Sequence, residues 1–113
     1  MHSSTATPPC ITATALAARL QAADAPLILD VRKAPAFEAA PQMIQGAQRI
    51  APDALAAALA QLPRGREVVA YCVHGHQVSQ GAARALIEAG FDAKFLEGGI
   101  EHWREAGLPL MPA

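Results

Sequence analysis

The sequence predicts an α/β domain built on a central parallel sheet. Three observations predict it. The continuous apolar runs "LILDV" and "EVVAYC" suit strands buried on both faces. Alanine-rich stretches of helical period alternate with them. The 113 residues, 52% hydrophobic and 17% charged, supply one core and leave little room for a second domain.

Taken in order, residues 1–10 read as a flexible N-terminal tail rich in Ser, Thr and Pro, with a domain over 11–113. The "CIT" around Cys10 has the makings of a short edge strand. Thr12 or Thr14 can cap the following helix, "ALAARLQAA", whose Leu16, Ala17 and Leu20 form an apolar stripe. Leu27 to Val31 is the first central strand. "APAFEAA" is a short helix ended by Pro41, and Gly46 to Ile50 a brief strand. Pro52 and Asp53 open the helix "PDALAAALAQL", since proline suits a first helical position and an acid suits the helix start. Pro63 to Gly65 is a turn. "EVVAYC" is the second strong strand, followed by the helix "SQGAARALIEAG" with Gly90 at its C-cap. Ala93 to Glu97 is another strand, "GGIEHWREAG" a last helix, and "LPLMPA" an extended tail. The total is about five strands and four or five helices.

Composition excludes several classes. Nine basic residues against ten acidic ones leave a formal net charge of −1, which attracts no polyanion, so no nucleic-acid partner is expected. Aromatic residues are 4% of the chain, too few for base-stacking platforms. No apolar run reaches membrane-spanning length. The first ten residues lack the basic and apolar regions of a secretory signal. The two cysteines, Cys10 and Cys72, make no disulfide framework, so the reading places the chain in the reducing cytoplasm.

The chemistry concentrates at Cys72. In open parallel sheets, ligands bind at the carboxyl ends of the strands, and Cys72 stands at one. The helix that follows begins with unpaired N–H groups and a partial positive charge. Gly75 permits a positive φ, so that successive N–H groups of the loop can converge on one point. A sulfur there is favoured as the thiolate, which is the nucleophilic form. The plainer reading, a small buried hydrophobe, stands beside it.

"LILDVRKAPAFEA", "MIQGAQRI", "CVHGHQVSQGAARALIEAGF", "FLEGGIEHW" and a following "GLP" recur in an order that resembles the rhodanese (thiosulfate sulfurtransferase) superfamily in its single-domain form. The resemblance spans residues 12–110. It implies a central parallel sheet of about five strands with helices on both faces. It also implies a six-residue loop in which Cys72 takes a sulfane sulfur from thiosulfate or a persulfide. The sulfur then passes to a thiophilic acceptor: cyanide, a small thiol or a protein thiol. Carried over, Cys72 is the catalytic residue, and Val73, His74, Gly75, His76 and Gln77 form the substrate-binding loop. No cofactor is called for, because sulfur is the carried group.

One departure matters. Many relatives carry Arg or Lys in the loop, whereas His74 and His76 stand there here and hold no permanent charge. A less charged persulfide is therefore expected to outperform thiosulfate. The absence of a loop arginine also argues against the phosphatases that share this fold, since phosphoryl transfer needs charge on three oxygens.

Alternatives stay open at this point. Arg32 is either a structural partner of Asp30, the favoured reading, or an anion guide at the pocket mouth. Cys72, His74 and His76 could ligate a metal, though their spacing is not that of a structural zinc motif, and no metal is expected. Cys10 is incidental or, more sharply, a resolving thiol. Ser79 caps or packs in its helix. Trp103 anchors the core or the pocket rim. The whole domain is an enzyme or a non-catalytic relay and partner-binding module.

Overall fold

Alternating apolar runs and helices place five short strands side by side, all parallel. The computed structural model describes residues 8–63 and 65–112. The elements are β1 (Cys10–Ile11), α1 (Ala13–Arg19), β2 (Leu27–Asp30), α2 (Ala34–Ala39), β3 (Met43–Ile44) and β4 (Gln48–Arg49), then α3 (Leu55–Ala58), β5 (Val68–Tyr71), α4 (Gln77–Glu88), β6 (Ala93–Leu96), α5 (Gly99–Glu105) and β7 (Leu110–Met111). The main sheet runs β1-β6-β5-β2-β4. Its centre is β5, which pairs with β2 from Leu27↔Val68 to Asp30↔Tyr71 and with β6 from Val68↔Ala93 to Ala70↔Phe95.

Every residue of β2 and β5 is buried, as expected of strands covered on both faces. Successive side chains alternate between the two faces. Ile28, Val69, Tyr71 and Leu96 pack with Leu16, Ile100 and Trp103 on one side. Leu27, Leu29, Val68, Ala70 and Ala93 pack with Leu55, Ala82 and Leu86 on the other. Helices therefore cover both faces. Trp103 belongs to the core, fully buried, and its indole N–H donates to the Pro109 carbonyl at 2.8 Å.

Local signals hold at most boundaries. Thr12 caps α1, its hydroxyl accepting from the Ala15 N–H at 3.1 Å. The edge strand at Cys10 forms, and the Phe95 N–H donates to the Pro9 carbonyl just before it. Of the stretch read as a tail, residues 1–7 lie outside the described residues, as does Arg64 in the turn before β5.

Three readings need correction. The continuous helix expected from Pro52 is α-helical only over Leu55–Ala58, with 3-10 turns over Pro52–Ala54 and Leu59–Gln61. Bonds from the Ala54 N–H to Ala51 and from the Leu62 N–H to Leu59 tighten its ends, a common substitute where few capping side chains are at hand. The helix read from Ser79 starts earlier, at Gln77. The "LPLMPA" segment is not merely extended. Its Leu110 and Met111 pair antiparallel with Ile44 and Met43 in a second, two-stranded sheet.

Candidate active site

The site is built where β5 ends. Cys72 follows Tyr71 directly and is 6% exposed. It lies in the wall of a cavity of about 490 Å³ together with Arg32, Lys33, Ala36 and the loop residues Val73, His74, His76, Gln77 and Val78. Cys72 is buried, and the passage from strand to helix at this point brings the residue into the cavity wall.

The loop's orientation has a traceable cause. The Ile100 N–H donates to the Cys72 carbonyl at 3.0 Å and the Glu101 N–H to the Val73 carbonyl at 3.1 Å. The Gln80 side chain donates to the Gly75 carbonyl, and the Gln80 N–H to that of His76. In a trans peptide the next N–H points opposite to the carbonyl, and no cis peptide is present among the described residues. Carbonyls held by α5 therefore send the N–H groups of Val73 and His74 away from that helix. Among the described residues, the N–H groups from Val73 to Val78 donate to no protein acceptor.

Two glycines make the clamp possible. Gly75 has φ +77, and a Cβ there would come within 2.7 Å of the Leu96 carbonyl. Gly99 has φ +63, and a Cβ would collide with the Val73 carbonyl. The "GG" before "IEHW" thus lets the first turn of α5 approach the loop backbone, a close approach that side chains forbid.

Gln77, read as the last loop residue, is the first residue of α4. The bond from Gln80 to His76 closes the helix's first turn around it. Gln77, His74 and His76 are exposed, and the two imidazole rings stand 6.2 Å apart at the mouth. Among the described residues, no group of three or more His, Cys, Asp or Glu is placed to hold a metal ion.

Arg32 lines the cavity, but its guanidinium is engaged within the fold. It is 1% exposed. Its Nε donates to both Asp30 oxygens at 3.0 Å, and one terminal nitrogen donates to Asp30 Oδ2 at 2.6 Å and to the Gln42 carbonyl at 2.8 Å. The other terminal nitrogen donates to the Ala40 carbonyl. Phe37 lies against the guanidinium, 5.1 Å from its carbon. The structural-pair reading holds: the fork braces the chain between β2 and β3. Tyr71 joins it, its hydroxyl donating to Asp30 and accepting from the Ile44 N–H. Burial, then the Asp30 carboxylate, pushes the Tyr71 phenol well above its ordinary value.

Ser79 packs in its helix as read, but its contact with the thiol and the place of Lys33 escape the sequence reading. Ser79 is fully buried, and its Oγ lies 3.2 Å from Cys72 Sγ. The thiol donates to that oxygen, and once the sulfur ionises the same hydroxyl can turn and donate back. A hydroxyl in the first turn of the helix after the cysteine was the available signal. Lys33 is exposed and shares the cavity wall with Cys72. Its approach to Cys72 is made across two strands, and no local pattern announces it.

A cysteine in a cavity wall at the carboxyl end of an open parallel sheet places the chain among α/β domains with a thiol at the strand ends. The chain belongs to one family among these. Residues 12–106 match the model of the rhodanese-like domain. Thiosulfate sulfurtransferase GlpE of Vibrio cholerae is 30% identical over 84 residues, covering 74% of this chain and 76% of that protein. An HTH-type transcriptional regulator of Mycobacterium tuberculosis is 38% identical over 101 residues, covering 88% of this chain, which spans 43% of the regulator's length. A crystal structure of a rhodanese-related protein from Thermoplasma volcanium superposes with a TM-score of 0.79 at 29% identity, covering 91% of this chain and 97% of that one. No helix among the described residues is long and apolar enough to cross a membrane.

Proposed function

We propose that the protein is a sulfurtransferase that carries sulfur on Cys72. The observation that carries this reading is the cysteine in the cavity wall, followed by a loop whose N–H groups, among the described residues, donate to no protein acceptor. The family and its sulfurtransferase relative support it.

In the first half-reaction the Cys72 thiolate attacks the outer sulfur of the donor. With thiosulfate, the S–S bond breaks and sulfite leaves with its electron pair, so Cys72 becomes a persulfide anion. In the second, an acceptor nucleophile attacks the terminal sulfur and the Cys72 thiolate leaves. Cyanide yields thiocyanate, and a small or protein thiolate yields its own persulfide. This is a ping-pong route by covalent catalysis. The N–H groups of Val73, His74, Gly75, His76 and Gln77 hold the anionic sulfur, as donors preorganised toward a charge do. Ser79 steadies the nucleophile from behind. Arg32 acts as a brace. Sulfur is the carried group, so the reaction asks for no further cofactor. Cys10 and Cys72 are both free, which suits a reducing cytoplasm.

A second reading is a sulfur relay or partner-binding module. The match to a longer transcriptional regulator is the observation that favours it.

Mass spectrometry after thiosulfate or persulfide exposure tests the first reading. The protein gains one sulfur atom on Cys72 and loses it to cyanide or thiol. Cys72→Ser abolishes the gain and Cys10→Ser does not. A protein that never gains sulfur is not a sulfurtransferase.

A further inference from the structure

The cavity above Cys72 is short of charge. The loop side chains on its wall, from Val73 to Val78, carry no permanent charge, and Arg32 spends its guanidinium on Asp30, Ala40 and Gln42. Lys33 differs. It is exposed, lines the cavity, and takes part in no ion pair among the described residues. Asp53 shares an adjoining hollow with it but does not pair with it.

Position reinforces charge. Asp30 and Tyr71 are register partners on adjacent parallel strands. Lys33, three residues past the end of β2, and Cys72, one past the end of β5, therefore follow neighbouring strands at the same end of the sheet. Size and polarity add a third constraint. At about 490 Å³ the cavity falls in the range that holds whole organic ligands. Ala36, Val73 and Val78 give it apolar surface that an inorganic anion does not need.

We propose that Lys33 is the specificity-determining residue of the site. It holds the acidic group of the donor, and the donor is an organic persulfide bearing a carboxylate. The donor's identity rests on the sulfurtransferase reading above. The donor's carboxylate pairs with Lys33, its stem lies on Ala36, Val73 and Val78, and its outer sulfur meets Cys72. The Cys72 thiolate attacks that sulfur in R–S–S–H. The S–S bond of the donor breaks, R–S⁻ leaves with the electron pair, and the proton stays on the transferred sulfur. Cys72 becomes Cys–S–S–H, with no outside oxidant or reductant.

The test uses two matched donors, N-acetylcysteine persulfide and its methyl ester, which lacks the charge. The wild type prefers the acid. Lys33→Gln lowers the acid-to-ester ratio of kcat/KM about two- to fivefold, the scale of an exposed ion pair. Lys33→Arg restores most of it. A second readout needs no turnover: the ratio of Cys72 alkylation rates by iodoacetate, an anion, and iodoacetamide, which is neutral. Lys33→Gln lowers that ratio as well. Both ratios unchanged in Lys33→Gln overturn the proposal. If the wild type turns over neither donor while the alkylation ratio still falls, Lys33 keeps its anion-holding role and the sulfurtransferase reading fails instead.

Discussion

The two ends of strand β5 are opposites. At its start, Glu67 accepts from Arg19 and from Lys94, the latter at 2.7 Å. Burial opposes ionisation there, yet the bonds from Lys94 and Arg19 hold the carboxyl below its ordinary value. Donors and acceptors satisfy one another, and the end is closed. At the other end Cys72 opens a loop in which the carbonyls of Cys72, Val73, Gly75 and His76 are used, while among the described residues its N–H groups are not. Unspent hydrogen-bonding capacity at one end of a strand marks a place to bind, and spent capacity at the other marks a place to hold the fold.

Cys72→Ser breaks this contrast most completely. It removes all sulfur loading and leaves the thermal midpoint nearly unchanged, since the bond count at the loop hardly alters. Arg32→Ala attacks the brace behind the open end. It strands the Asp30 carboxylate in the core at a cost of about 3–5 kcal/mol, read as a lowered urea midpoint. A loss of activity without loss of stability in this variant would return Arg32 to the binding surface.

Ser79→Ala is subtler. Losing a hydrogen bond to an ionised group slows sulfur loading and iodoacetamide labelling of Cys72 about tenfold or more. Ser79→Thr, which keeps the hydroxyl, restores both. A merely packed serine would leave the labelling rate alone. The smallest effect belongs to the closed end. Glu67→Gln lowers the melting temperature by no more than about 5 °C and spares activity. The Glu67 carboxyl titrates lower in the folded chain than in the unfolded one. Its contribution is therefore complete above the ordinary glutamate value and disappears as pH falls through the depressed one. The wild type and Glu67→Gln should converge in stability in acid.

The contrast was partly legible beforehand. "LILDV" and "EVVAYC" declare buried strands, and with them the position of Cys72. "GG" before "IEHW" declares a turn. The clamp it makes on Cys72 and Val73 joins residues far apart in sequence, and no local period encodes that. Two-residue strands such as Met43–Ile44 and Leu110–Met111 carry too few side chains to show an alternation. Arg32 and Lys33 are adjacent cations in the sequence. Only folding separates them, because Ala40 and Gln42 return to engage one and nothing among the described residues pairs with the other.

The small antiparallel sheet reaches further than its size suggests. Leu110 pairs with Ile44, the Ile44 N–H meets the Tyr71 hydroxyl, and Tyr71 immediately precedes Cys72. The Leu110–Met111 ribbon is thus tied, through one hydroxyl, to the strand end that carries the thiol.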